Sequence, residues 1–123
     1  MRGKTLHNYL AMEAERILRN EGFETSQECP EELSNGRIDF IDILARKNNF
    51  AVCVEIETTP RYVLTNAAKS QELGLPLMVI VPNRKVKKAV EKRLSSVDLR
   101  PGGMDIYLLL LSQLRQGLTN CFP

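Results

Sequence analysis

Two stretches decide how this chain is read: Ile38-Asp-Phe-Ile-Asp-Ile-Leu-Ala-Arg46 and Phe50-Ala-Val-Cys-Val-Glu-Ile-Glu-Thr58. Both are rich in β-branched and aromatic residues, the composition of strands. Between them lies Asn48-Asn49, suited to a two-residue hairpin turn because asparagine tolerates positive φ. With that turn, Lys47 faces Phe50, Leu44 faces Cys53 and Asp42 faces Glu55. Residues directly opposite one another in an antiparallel pair share a face of the sheet. One face then carries Phe40, Asp42, Leu44, Cys53, Glu55 and Glu57. The other carries Ile41, Ile43, Ala45, Val52, Val54 and Ile56, is wholly apolar, and is expected to be the core face beneath the first helix. The acids are expected to converge outside that core.

Three carboxylates brought close together are unfavourable without compensation, since like charges placed opposite one another destabilise a strand pair. A hard divalent cation is one compensation. Bound Mg²⁺ can orient a phosphodiester, stabilise charge on it and activate a water. An aspartate, twelve intervening residues and Glu-x-Glu therefore suit a metal-dependent phosphodiesterase. An ordinary solvated outer face of a sheet is the competing expectation from the pattern alone.

Outward from the hairpin, the chain alternates helices and strands. Leu6, Leu10, Ala14, Ile17 and Leu18 recur at helical spacing and predict a helix over Thr5 to Asn20, with Thr5 as its cap and Gly22 just past its end. Phe23 to Glu28 reads as a short strand, followed by a turn-rich stretch from Cys29 to Gly36. After the hairpin, Pro60 stops the second strand. A short helix is expected over Val63 to Leu73, ended by Gly74. Leu77 to Val81 is a continuous apolar strand of the kind buried on both faces. Asn83 to Leu94 is a basic helix with Asn83 as its cap. Asp105 to Leu111 reads as a last buried strand, and Ser112 to Leu118 as a terminal helix. The order α-β-β-β-α-β-α-β-α predicts an α/β domain with a mixed sheet flanked by helices. A chain of 123 residues suits one domain spanning 1–123.

Composition excludes little else. Apolar residues make up 43% and charged residues 26%, which argues against a disordered or fibrous chain. A net charge of +2 is too small to predict a nucleic-acid partner by itself. Three spaced cysteines (Cys29, Cys53, Cys121) and one histidine offer no zinc site and suit a reduced, cytoplasmic protein. The apolar run Ile106 to Leu111 is too short to span a membrane.

The hairpin residues Ile41-Asp-Ile-Leu-Ala and Val54-Glu-Ile-Glu-Thr resemble the corresponding motif of the PD-(D/E)XK nuclease superfamily, in particular archaeal Holliday junction resolvases and related endonucleases. Gly36-Arg-Ile-Asp, Glu55-Ile-Glu-Thr-Thr and Asn66-Ala-Ala-Lys69 resemble a Glu-x-Glu variant group often found with mobile elements. The likeness runs from the first helix through Val79. It implies a restriction-endonuclease-like core and a Mg²⁺- or Mn²⁺-dependent endonuclease acting on duplex or branched DNA as a homodimer. Glu55 matches the metal-binding glutamate of the family's Glu-x-Lys motif, and Glu57 falls where that motif has its lysine. Asp42 suits the register above as the motif aspartate. Asp39 suits the Gly-Arg-x-Asp wording and would need a bulge to reach the same face. Lys69 could supply the missing lysine from the following helix, with Asn66 one turn away. The expected catalytic set is Asp42, Glu55, Glu57 and Lys69, with Asp42, Glu55 and Asp39 as metal ligands. Glu57 in place of lysine also suits an inactive module that binds DNA or a protein partner.

A positive rim for phosphates is expected from Arg37, Arg61, Asn66 and the basic helix residues Arg84, Lys85 and Lys88. His7, Glu13 and Glu15 on the first helix are further candidates. With no Trp and three Tyr, no aromatic stacking platform is evident, which favours recognition of duplex shape and backbone over base stacking.

Overall fold

The computed structural model describes residues 3–33, 35–96 and 105–121. Helix α1 (Gly3–Asn20) leads into strands β1 (Glu24–Glu32), β2 (Ile38–Lys47) and β3 (Phe50–Ile56). A short 3₁₀ turn (Pro60–Tyr62) precedes α2 (Val63–Leu73), then β4 (Leu77–Val81), α3 (Arg84–Ser95) and β5 (Ile106–Leu110). A second 3₁₀ turn (Leu111–Gln113) opens into α4 (Leu114–Cys121). The five strands form one sheet in the order β1-β2-β3-β4-β5. The first two pairings are antiparallel and the last two parallel. This is the expected α/β architecture, a mixed sheet flanked by helices. Among the described residues, no helix is long and apolar enough to cross a membrane.

The hairpin register is the expected one: Lys47 pairs with Phe50, Leu44 with Cys53 and Ile43 with Val54. Asn48 takes the positive φ of 58° that the tight turn requires. The basic helix is capped as expected, with Asn83 Oδ1 accepting from the Val86 N–H at 2.9 Å.

The two faces of the sheet differ from expectation. Both are covered. On one side α1 and α4 pack Leu10, Ala14, Leu18, Leu114 and Leu118 against Ile43, Ala45, Val52, Val54, Met78 and Ile80. On the other, Val63, Ala67 and Val90 from α2 and α3 pack against Ile41, Leu44, Cys53, Leu77, Val79 and Val81. Each fully buried aliphatic side chain of this kind contributes about 1.5–3 kcal/mol over an exposed one. The acids therefore do not lie on an outer face. Ile41 also changes sides, packing with Leu44 rather than with Ile43. The strict alternation of β2 thus slips at Asp42. Across from Asp42 in the β1 register stands Glu28, whose φ of 48° marks the matching distortion in β1.

Several boundaries also move. Helix α1 begins at Gly3, so Thr5 lies inside it and is not its cap. Strand β1 runs on through Cys29 to Glu32, where a turn-rich stretch was expected. Pro30 is tolerated there because β1 is an edge strand and needs ladder bonds on one side only. Strand β5 is the opposite edge and is half-buried along its length rather than enclosed.

Candidate active site

Strands β2 and β3 are paired as far as Ile43 and Val54. Beyond that point β3 continues along β4, with Ile56 beside Ile80 and the Glu57 N–H donating to the Ile80 carbonyl at 2.9 Å. Where the hairpin ladder ends, a cavity of about 460 Å³ lies between α1 and α2. His7, Asp39, Phe40, Asp42, Glu55, Glu57, Tyr62, Asn66 and Lys69 line it.

Backbone groups near that end of the ladder need partners, because buried amides and carbonyls left unpaired are costly. Side chains of the cavity supply them. Asp42 Oδ2 accepts the Ile56 N–H at 2.8 Å, Asp39 Oδ1 accepts the Phe40 N–H at 2.7 Å, and Lys69 Nζ donates to the Phe40 carbonyl at 2.6 Å.

The cluster interlocks across three elements. From α1, His7 Nε2 stands 3.1 Å from Asp42 Oδ2. From α2, Lys69 Nζ stands 3.1 Å from Glu55 Oε1, and both side chains are almost wholly buried. One turn away, Asn66 donates from its side-chain amide to Glu57 Oε1. Asn66 and Lys69 thus both turn inward, and Lys69 is no surface lysine. Glu55 Oε1 is buried and has no hydrogen-bond partner among the described residues, since the Lys69 contact is an ion pair without hydrogen-bond geometry.

Titration behaviour follows from this packing. Burial and the neighbouring Asp42 carboxylate push Glu55 up to about 8 against the pull of Lys69. Burial, with Asp42 adding to it, pushes Glu57 up to about 7 against the Asn66 hydrogen bond. Burial also acts to raise Asp42, but hydrogen bonds from His7 and the Ile56 N–H outweigh it and hold Asp42 below its usual value. The Asp42 hydrogen bond in turn raises His7 despite its partial burial. Asp42 is therefore the ionised acid of the group, and Glu55 beside it holds a proton near neutrality. Such a pair of facing carboxyls can accept a proton or a small cation between them.

The two aspartates now separate. Both line the cavity, because the slip at Asp42 turns residues three apart toward the same space. Asp42 is the one within hydrogen-bond reach of Glu55. Asp39 caps the amide next to it and also borders a second cavity of about 440 Å³, which Arg37 and Lys69 line as well. Among the described residues, no three His, Cys, Asp or Glu side chains are grouped so as to hold a metal ion. Two carboxylates nonetheless suffice for Mg²⁺, which keeps most of its waters and takes the rest of its oxygens from substrate phosphate. The all-oxygen donor pair, with Glu55 Oε1 buried and met only by the Lys69 ion pair, fits such a cation.

Other expected residues lie further out. Arg84, Lys85 and Lys88 are exposed on α3 and do not border the cavity. Arg61 lies beside it, with its guanidinium 5.2 Å from the Tyr62 ring centre. Glu13 and Glu15 face elsewhere, paired with Arg16 and Arg19. Two residues were given no role by the sequence: Phe40, though it was placed on the acid-bearing face, and Tyr62. Phe40 and Tyr62 are 55% and 56% exposed and line the cavity, so aromatic surface is present where none was evident.

No protein-family model matches the chain, and no curated protein matches it. Among solved structures, the fold is similar to a crystal structure described as a protein of unknown function, AF1548, with a TM-score of 0.60 at 16% identity. The likeness covers 84% of this chain and 58% of that one, so this chain spans little more than half of its neighbour's length. At that identity the likeness concerns the fold.

Proposed function

We propose that the cavity is the active site of a metal-dependent endonuclease of the PD-(D/E)XK type, hydrolysing phosphodiester bonds in DNA. The observation that carries this reading is the facing pair Asp42 and Glu55, with the Lys69 ammonium 3.1 Å from Glu55. Asp42 and Glu55 would hold Mg²⁺ or Mn²⁺, with Glu57 assisting. Such a cation, when bound, polarises the phosphoryl oxygen and lowers the pKa of a bound water. His7 keeps Asp42 ionised for that purpose. Asn66 fixes the Glu57 carboxyl. Lys69 sets a cation beside Glu55 from α2, taking the part that the family gives to the motif lysine, and can stabilise charge building on the phosphate. The basic residues of α3, together with Arg37 and Arg61, would contact the DNA backbone. A second copy of the chain to engage the second strand, and a reducing cytoplasmic setting for Cys29 and Cys53, belong to the same reading.

The test is cleavage of supercoiled, linear and branched DNA with Mg²⁺ or Mn²⁺, alongside calorimetric Mn²⁺ binding. Expected is cleavage that is lost in Asp42→Asn and Glu55→Gln, with Mn²⁺ binding lost in Glu55→Ala. Wild-type protein that binds no Mn²⁺ would overturn the assignment. A second reading has two features behind it. Asp42 and Lys69 already bond to the backbone, and Glu57 stands at the lysine position, as suits an inactive module of the same fold that binds DNA or a protein. Metal and DNA binding without cleavage of any DNA form would favour that module.

A further inference from the structure

The aromatic surface at the cavity mouth is unexplained by metal or phosphate chemistry. Large apolar side chains are ordinarily withdrawn from water, and a cluster of exposed ones beside a polar cavity marks a recognition surface. Phe40 lies on β2 two residues before Asp42, and its carbonyl is held by Lys69. Tyr62 closes the 3₁₀ turn at the start of α2, where Thr59 Oγ1 caps the turn by accepting the Arg61 N–H at 3.3 Å. Both rings are therefore carried on fixed backbone. The Arg61 guanidinium lies over one face of the Tyr62 ring, 5.2 Å from its centre, which leaves the opposite face for a base, and Arg61 is itself tied to α3 through the Arg93 guanidinium, 3.4 Å from its carbonyl. Exposed Lys4 also lines the cavity. Aromatic faces interleaved with cations suit unstacked bases on a charged backbone, because every base has a π-face to stack on whereas a duplex hides them.

We propose that Phe40 and Tyr62 are specificity-determining residues that stack on unpaired nucleobases, so that this site takes single-stranded or frayed DNA ahead of intact duplex. The inference rests on the nuclease reading and names its substrate class. It accounts for rings whose exposure the fold itself does not require.

The test is fluorescence anisotropy with labelled single-stranded DNA and a blunt duplex of the same sequence, without divalent metal so that nothing is cut. Wild-type protein should bind the single strand more tightly. Phe40→Ala and Tyr62→Ala should each weaken single-strand binding roughly ten-fold and duplex binding little. Phe40→Trp and Tyr62→Trp should retain it, which keeps the test informative if an alanine variant folds poorly. Duplex preference in the wild type, or alanine variants that bind single strands as before, would overturn the stacking role while leaving the nuclease reading intact. Failure of the wild type to bind either DNA would likewise overturn the stacking role, whereas the nuclease reading falls only with the Mn²⁺-binding and cleavage tests above.

Discussion

Glu55 and Glu57 are acids whose protons are held more tightly in the folded chain than in the unfolded one. A raised folded-state pKa contributes stability below the unfolded value, and that contribution is lost as pH rises through the folded value. For Glu55 the window runs from 4.5 to about 8, and for Glu57 from 4.5 to about 7. His7, also raised, erodes stability in the same direction above 6.5. Asp42, lowered, acts oppositely and matters only as pH falls below 3.8. The metal-free protein should therefore lose thermal stability across the neutral range as pH rises, and Glu55→Gln should flatten the slope. A pH series of melting temperatures checks this. Lys69→Met should follow the same logic. Lys69 is what holds Glu55 down to about 8, so without it the carboxyl keeps its proton to still higher pH, and the variant's added cost appears only above about pH 8, where wild-type Glu55 ionises beside its cation. The destabilisation measured by urea unfolding should accordingly grow with pH. Little of this was legible beforehand. Spacing put Asp42 opposite Glu55, but nothing in Ile41-Asp42-Ile43 announces that alternation slips there, and that slip is what turns Asp39 and Asp42 toward one cavity. Lys69 is a lysine at helical spacing from Asn66, and its burial follows from the parting of β2 and β3 rather than from any local pattern.

At the scale of elements, local chemistry decided most of the outcome. The hairpin was legible because Asn48 meets the turn's demand for positive φ and because the runs on either side of it are rich in β-branched and aromatic residues. Helix α3 was legible from Asn83, and Asn83→Ala should cost about 1 kcal/mol of stability by removing the Val86 amide's acceptor, measurable by chemical denaturation. Gly74 ends α2 with a φ of 72°, and Gly74→Ala should destabilise by roughly 1 kcal/mol because an L side chain is strained there. Strand β1 was read too short. Cys29-Pro30-Glu31-Glu32 looks like a turn in isolation, and only the presence of β2 on one side lets a proline and several acids remain extended. Gly117 in α4 was given no role by the sequence, yet a Cβ there would come within 2.8 Å of Leu109 Cδ1. It marks where α4 closes down on β5.

Across the whole molecule, the five-stranded order followed from the sequence of elements, since a hairpin succeeded by β-α-β units has few ways to pack. The burial of both faces did not, because one face owes its cover to helices lying far along the chain. Filling the cavity with a divalent ion should raise the melting temperature. At one hundred times its dissociation constant a ligand specific to the folded state adds about 2.7 kcal/mol, and Glu55→Ala should abolish the shift seen by differential scanning fluorimetry with Mn²⁺. Strand β1 has a further consequence. A nine-residue border strand ordinarily offers a template on which further chains can be laid down. Here Glu24, Glu28, Pro30 and Glu32 stand exposed along it, and Glu28 bends it. Negative charge, a missing amide and a kink together disfavour lateral growth into fibrils. Straightening it with Glu28→Val and Pro30→Val should make a fully folded protein precipitate in warm storage, visible as rising light scatter.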